Sequence, residues 1–317
     1  MVLGIRESQI DFRRPLGLQD LTPLCEVVKA HWTGEMVEQT LRELQQQLGT
    51  IRYAVGDYGS DIKKGLRLAD IPHVHDVTHH IALILKNLYA SDATYQDVTQ
   101  RLARVRKQFG QTGAAHLIPP KQRKKSRYHN LKPLAEYGRH VRRYLSRPRD
   151  SSDAEQRVEQ ALLWLPLQAT FFDELLEIST LVGTIEWHLK HRGLSPTSIA
   201  ACCHALDAVT TEKGRCFKAR MLQYFHLTCT LVEASECLLC TSDILESAFG
   251  KYKNYVSANS MAGMTGLVLC IAAFTSSLEA HELKEALEQT TTQDVHAWIH
   301  DHVGPTLLKK RRDAFSK

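Results

Sequence analysis

The chain has no apolar run long enough to cross a bilayer as a helix. Its longest uncharged stretch, 254–278, opens with Ser, Asn, Gly and Thr, and only Leu267–Phe274 is densely apolar. A span needs about 20 such residues, so this stretch reads as a buried core helix and no membrane partner is expected. A secretory h-region is missing too, because Val2-Leu3-Gly4-Ile5 meets Arg6 and Glu7 at once. Without a secretory signal, the 8 cysteines read as reduced thiols of a cytoplasmic protein rather than a disulfide framework. Nor is there a second closely spaced cysteine pair. Cys237-Leu-Leu-Cys240 has the spacing of half a zinc site, while Cys202-Cys203-His204 is adjacent rather than spaced, and core packing is the plainer reading of both. No low-complexity tract or internal repeat interrupts a composition that is 43% hydrophobic and 24% charged. That is globular, and 317 residues make one large domain or two ordinary ones.

Net charge is small at +5, but its distribution is uneven. Eleven Lys and Arg fall between Lys121 and Arg149, against Glu136 and, at the edge, Asp150. Such a cluster suits a polyanion, and it equally suits a solvated linker.

Hydrophobic periodicity divides the chain. Val2–Ile5 and Leu24–Lys29 read as strands. Met36, Val37, Thr40, Leu41, Leu44 and Leu48 recur at helical spacing up to a Gly49 cap. Ile51–Gly56 is a third strand, Ile62–Leu68 a helix ended by Pro72, His73–His75 a fourth strand, and Val77–Tyr89 a helix. This order predicts an α/β layer with a mixed sheet. Beyond Tyr95 the periodicity is helical, with breaks at Gly110–Gly113, Pro119-Pro120, Pro148 and Ser195-Pro196. Ala154–Leu189 forms one amphipathic run that Pro166 should kink or divide, and Arg215–Leu239 forms another. Helices are then expected at Ile244–Lys253, Gly263–Ser276 and Leu278–His300, with a frayed basic tail at Lys309–Arg312. The chain therefore divides into 1–92, a helical insertion at 93–239, and 240–317, and it is predominantly helical overall.

Two acids stand out by context. Asp57 follows a strand, where α/β sheets present ligand-binding groups, although an Asp before Tyr-Gly-Ser also forms turns. Glu246 lies in the first turn of a helix, where Asp243 and Glu246 have the spacing of a capping box.

Taken together and in this order, the segments resemble those of DDE-type transposases of bacterial insertion sequences, which carry an RNase H-like catalytic domain. Tyr53-Ala-Val-Gly-Asp57-Tyr-Gly-Ser-Asp61 is similar to the segment around the second catalytic aspartate. Asp76-Val-Thr-His79 resembles the short strand and downstream His that come next. Thr241-Ser-Asp-Ile-Leu-Glu246-Ser-Ala-Phe-Gly-Lys251-Tyr-Lys253 is similar to the helix bearing the final glutamate. The resemblance spans nearly the whole chain, and its most specific part is the Glu246 segment. It implies DNA strand cleavage and transfer by phosphoryl transfer at two Mg2+ or Mn2+ ions about 3.5–4 Å apart. It makes Asp57 a ligand of one ion and Glu246 of the other. Lys251 and Lys253 would meet DNA phosphates, and His79 would position a phosphate or an attacking water. Of the basic cluster, Arg123, Lys124, Lys125 and Arg127 are the candidate DNA contacts. The implied partners are element ends and target DNA, with the protein a homo-oligomer on DNA and nucleoid-associated when bound.

One part of the pattern has no counterpart. The family's first aspartate belongs on a strand upstream of Val2–Ile5, and Glu7, Asp11 and Asp20 do not fit it. The expectation is a chain that begins after that strand and is inactive alone. Three alternatives stay open: a non-catalytic DNA-binding or regulatory remnant, a helical interaction protein with incidental acids, and a zinc protein using Cys237, Cys240 and nearby histidines.

Overall fold

A computed structural model describes residues 1–29, 31–122, 131–148, 150–231, 237–256, 265–275 and 280–316. The chain is predominantly helical, and it divides into two compact units, one of 1–74 with 240–317 and the other of 75–239. Among the described residues, no helix is long and apolar enough to cross a membrane.

The first unit begins with a two-stranded sheet. β1 (Val2–Gly4) runs antiparallel to β2 (Thr22–Cys25), with Val2 opposite Cys25 and Leu3 opposite Pro23. The second strand was expected at Leu24–Lys29, and it lies earlier because pairing with β1 sets its limits. In a two-stranded sheet both members are edges, so Pro23 is tolerated despite its missing N–H. α1 (Gly34–Leu48) starts at Thr33, whose side chain accepts the Met36 N–H, and stops at Gly49, where φ is 82°. A second pair follows, β3 (Ala54–Gly56) with β4 (His73–His75), joined through α2 (Ser60–Leu68). The order of these elements is the one the periodicity predicts. Among the described residues, however, the strands pair as two separate two-stranded sheets rather than as one mixed sheet. α2 lies so close to α1 that a Cβ on Gly65 would come within 2.4 Å of Val37 Cγ1. Leu41, Leu66, Ala69 and Ile71 fill the space between them.

The second unit is made of helices, most of them begun by a recognisable signal. Asp76 caps α3 (Val77–Tyr89) and Asp92 caps α4 (Ala93–Phe109), each accepting a backbone N–H three residues on. α5 (Leu131–Leu145) is followed by α6 (Asp153–Leu162), which a Ser152/Glu155 capping box opens. Pro166 then divides the long amphipathic run. A 3-10 turn at Leu165–Gln168 separates α6 from α7 (Ala169–Arg192). Ser195, with Pro196 behind it, opens α8 (Pro196–Asp207), and α9 is Glu212–Leu231. The helix expected to run through Leu239 does not include Leu238. That residue instead exchanges backbone hydrogen bonds with Leu194, at 2.7 and 2.9 Å.

α7 is the axis of this unit and packs against α3, α5, α8 and α9. Phe171, Phe172, Leu175, Ile178, Ile185 and Leu189 form its buried stripe. Two polar devices also fix its position. The Lys213 ammonium lies 2.9 Å from Glu174 and 3.0 Å from Asp92, tying α9 to α7 and to the start of α4. Burial opposes its charge, but the two carboxylates hold its pKa above the ordinary lysine value. The Glu177 carboxylate in turn accepts the backbone N–H and the hydroxyl of both Thr210 and Thr211, at the amino end of α9. Burial works against that carboxylate, yet these bonds hold its pKa below the usual range.

The chain then returns to the first unit. α10 (Asp243–Val256) packs on α11 (Cys270–Ala273), which a 3-10 turn at Gly266–Leu269 precedes. The single helix expected over Gly263–Ser276 is replaced by these two short pieces, with Thr265 capping the first. Positions 263, 264 and 276 lie outside the described residues. Ala248, Val268 and Ile271 form a core to which Met1, Leu18 and Val28 contribute from the other end of the chain. Instead of one helix over Leu278–His300 there are two, α12 (Ala280–Gln289) and α13 (Thr292–His302), because Thr291 and Asp294 make a capping box between them. The basic tail, expected to fray, is helical as α14 (Leu307–Phe315).

The contact between α5 and α7 is tight at one point. A Cβ on Gly138 would lie 2.1 Å from Phe172 Cδ1, in a ring that is only 1% exposed. Helix propensity alone favours Gly138→Ala by about 1 kcal/mol. The clash reverses the sign, and Gly138→Ala should destabilise the protein by about 1–3 kcal/mol in urea denaturation. Adding Phe172→Leu should recover part of that stability, whereas a stabilised single variant would show that the contact is loose.

Candidate functional site

Asp57 stands immediately after β3, at the entrance to α2. Its Oδ1 accepts the Gly59 N–H at 2.8 Å, which closes an Asx turn and directs the chain into the helix. The turn-forming role read from Asp-Tyr-Gly-Ser is therefore present, on a carboxylate that is only partly buried. Because β3 pairs with β4, Asp57 acquires a neighbour that linear spacing does not suggest. His73 Nε2 would lie 3.2 Å from a Cβ at Gly56, and the Asp57 charge acts on its ring. Burial lowers the His73 pKa, while its hydrogen bond to Gly56 and the Asp57 carboxylate oppose that shift.

Glu246 is exposed in the first turn of α10. Asp243 is itself the first helical residue, and the Ser242 carbonyl accepts the N–H groups of Leu245 and Glu246. Ser242 immediately precedes the helix, so Asp243 and Glu246 both lie in its first turn. Lys253 is two turns beyond Glu246 and returns to about the same face, whereas Lys251 points about 140° away. Lys251 places its ammonium 5.6 Å from the Phe274 ring. Asp57 and Glu246 both belong to the unit formed by 1–74 with 240–317.

His79 belongs to the helical unit. Asp76, wholly buried, accepts the His79 backbone N–H at 2.8 Å and lies 3.1 Å from its Nδ1. One carboxylate thus caps α3 and fixes the imidazole, leaving the ring half-exposed. The adjacent His80 packs on Tyr224, with ring centroids 4.6 Å apart, and the Tyr224 hydroxyl donates to the His75 carbonyl.

Arg123, Lys124, Lys125 and Arg127 lie outside the described residues. The described part of the basic cluster is α5 and the residues after it. Arg139, Arg143 and Arg147 recur at four-residue intervals, all exposed and none in an ion pair among the described residues. Arg142 pairs with Asp173 at 2.7 Å. Charge counting alone does not separate these arginines from the rest of the cluster. The signal that does is the apolar set Leu131, Leu134, Ala135, Gly138 and Val141, which fixes the opposite face as solvent-facing.

Among the described residues, no three His, Cys, Asp or Glu side chains are gathered so as to hold a metal ion. Cys237 donates its thiol hydrogen to the Arg192 carbonyl at 3.0 Å, and burial pushes its pKa up to about 11.

No family model matches the chain, and no curated protein or solved structure matches it either.

His80 gives the helical unit a pH signature. Burial lowers its pKa to about 4, assisted by the Arg220 charge and opposed by a hydrogen bond to the Arg220 backbone. Between the ordinary value of 6.5 and about 4, the unfolded chain takes up a proton there that the folded chain refuses. Its effect on stability is therefore absent above pH 6.5 and grows as the pH falls toward 4. Between about pH 7 and pH 5 the stability given up at this residue should be roughly 1–2 kcal/mol. His80→Phe should flatten the pH dependence of urea unfolding by that amount, and an unchanged slope would refute the assignment.

Proposed function

We propose that the chain is a transposase-derived protein that acts on DNA, built on the DDE pattern, and that it does not cut DNA by itself. The observation that carries this reading is the core shared by the two ends of the chain. Met1, Leu18 and Val28 pack against α10 and α11, so that the Asp57 and Glu246 segments belong to one unit on either side of an all-helical stretch. An RNase H-like core divided by a helical insertion, at 1–92, 93–239 and 240–317, would have that organisation. In this reading Asp57 and Glu246 are the carboxylates for Mg2+ or Mn2+, with Lys251 and Lys253 as auxiliary groups. The donor set falls short of the site it would need. Among the described residues no three such ligands are gathered, and Asp57 Oδ1 already accepts the Gly59 N–H. No cleavage step is assigned to this chain for that reason.

A second reading is favoured by α5. A non-catalytic DNA-binding or regulatory protein would use Arg139, Arg143 and Arg147, whose charges no carboxylate among the described residues neutralises, together with Arg123, Lys124, Lys125 and Arg127. Exposed guanidinium groups at helical repeat suit a phosphate backbone.

Two measurements test these readings. Supercoiled plasmid incubated with the chain and Mg2+ should stay intact, and nicking abolished by Glu246→Gln would overturn the proposed inactivity. Binding to duplex DNA should weaken steeply with salt and be unaffected by Asp57→Ala. In the Arg139→Ala, Arg143→Ala, Arg147→Ala variant, the slope of log K against log salt should shrink by about 1 for each phosphate no longer neutralised. An unchanged slope would remove α5 from the interface.

A further inference from the structure

We propose that His296 and His300 form a chelate for a transition-metal ion of the Zn2+ class on the outer side of α13. The two lie four residues apart, so at about 100° per residue they stand about 40° apart around the helix and one turn apart along it. Cβ atoms so placed are about 5–6 Å apart, a span that two imidazoles can close on one ion. Both side chains are exposed. Helix side chains lean toward the amino end, which carries the His300 ring back over the turn that bears His296.

Two further features prepare the pair. The backbone beneath it is held from the opposite side, because Trp298 and Val303 belong to the α10/α11 core and Ile299 Cδ1 would lie 2.4 Å from a Cβ on Gly266. A bound ion therefore does not have to order the turn that carries its ligands. The second feature is Asp301, whose Oδ1 lies 2.9 Å from His300 Nδ1. A carboxylate there draws the ring proton to Nδ1 and leaves Nε2 as the electron-pair donor, the arrangement that orients histidine ligands in metal sites. His302, on the same helix, is engaged otherwise. Its ring stacks on Trp298 with centroids 4.5 Å apart, and its Nδ1 lies 2.9 Å from the Trp298 carbonyl oxygen. The donor set is thus two imidazoles, with water completing the coordination sphere. It adds no third protein ligand, in keeping with the lack of any three-ligand group among the described residues.

Ligand chemistry chooses the ion. Imidazole nitrogen suits Zn2+, Ni2+ and Cu2+, whereas Mg2+ takes oxygen ligands and keeps most of its waters. The pair is therefore a different kind of site from the carboxylates Asp57 and Glu246, and the inference is independent of the DNA reading. An ion held by both rings joins one turn of α13 to the next, so binding adds to the stability of an 11-residue helix.

Calorimetric titration of the full, reduced and metal-free chain with Zn2+ tests the proposal. One equivalent should bind, and excess Mg2+ should not displace it. His296→Gln and His300→Gln should each raise the Zn2+ dissociation constant by at least about tenfold. Asp301→Asn, which keeps both ligands, should raise it by a smaller factor. Because all three side chains are exposed, urea unfolding in the presence of a chelator should be the same for each variant as for the parent. Adding Zn2+ should raise the unfolding midpoint of the parent but not of the two histidine variants. X-ray absorption at the zinc edge, with one equivalent bound, should show nitrogen or oxygen neighbours at about 2.0–2.1 Å and no sulfur at about 2.3 Å. Sulfur in that shell would overturn the proposal by handing the ion to the cysteines. So would an affinity indifferent to both histidine substitutions, or a parent that binds no more tightly than the double variant.

Discussion

The ring of Phe172 occupies the space that a side chain on residue 138 would need, and this contact sets how closely α5 approaches α7. The rest of the helical unit follows from where α7 lies. Its buried stripe must be covered on several sides, and α3, α8 and α9 do so. Lys213 then fixes how α9 is placed, because its ammonium has two carboxylates to satisfy, one on α7 and one at the start of α4. Removing either acid would leave a half-buried charge short of a partner, a far larger penalty than breaking an exposed ion pair. Apolar packing sets the distances here, and the buried ion network sets the rotations.

In the other unit, the constraint is that residues from both ends of the chain share a core. Ala248 on α10 and Ile271 on α11 are buried with help from Met1 and Val28. That arrangement gives the Glu246 helix a fixed footing while its charged face stays in solvent. Asp57 is held differently, by a turn it makes for itself with Gly59. Such a carboxylate is well placed to direct backbone into α2 and poorly placed to give both oxygens to an external ligand.

Much of this was legible in the sequence where a local signal had no competitor. The Leu41 and Leu44 periodicity closed by Gly49 marks α1, and Pro166 marks the division of the long run before α7. Signals failed where tertiary pairing or a local cap competed with periodicity. β2 starts at Thr22 because β1 selects its register. Thr291 with Asp294 divides what looks like a continuous amphipathic helix. For the candidate site, context in the sequence pointed to Asp57, Glu246 and His79, but nothing there placed His73 in the field of Asp57. That proximity depends on β3 pairing with β4, which no linear spacing encodes.

The clamp on Glu177 has a consequence for how a polyanion could approach the helical unit. The start of a helix ordinarily attracts phosphate through its free amides and its partial positive charge. At α9 an internal carboxylate has taken that role, with Thr210 and Thr211 already committed to it. An incoming phosphodiester would meet a carboxylate at that terminus and find the two amides leading into it taken, so side-chain cations are the plainer means of holding it. Recognition by long, mobile guanidinium groups tolerates changes in groove geometry that a rigid ring of amides would reject.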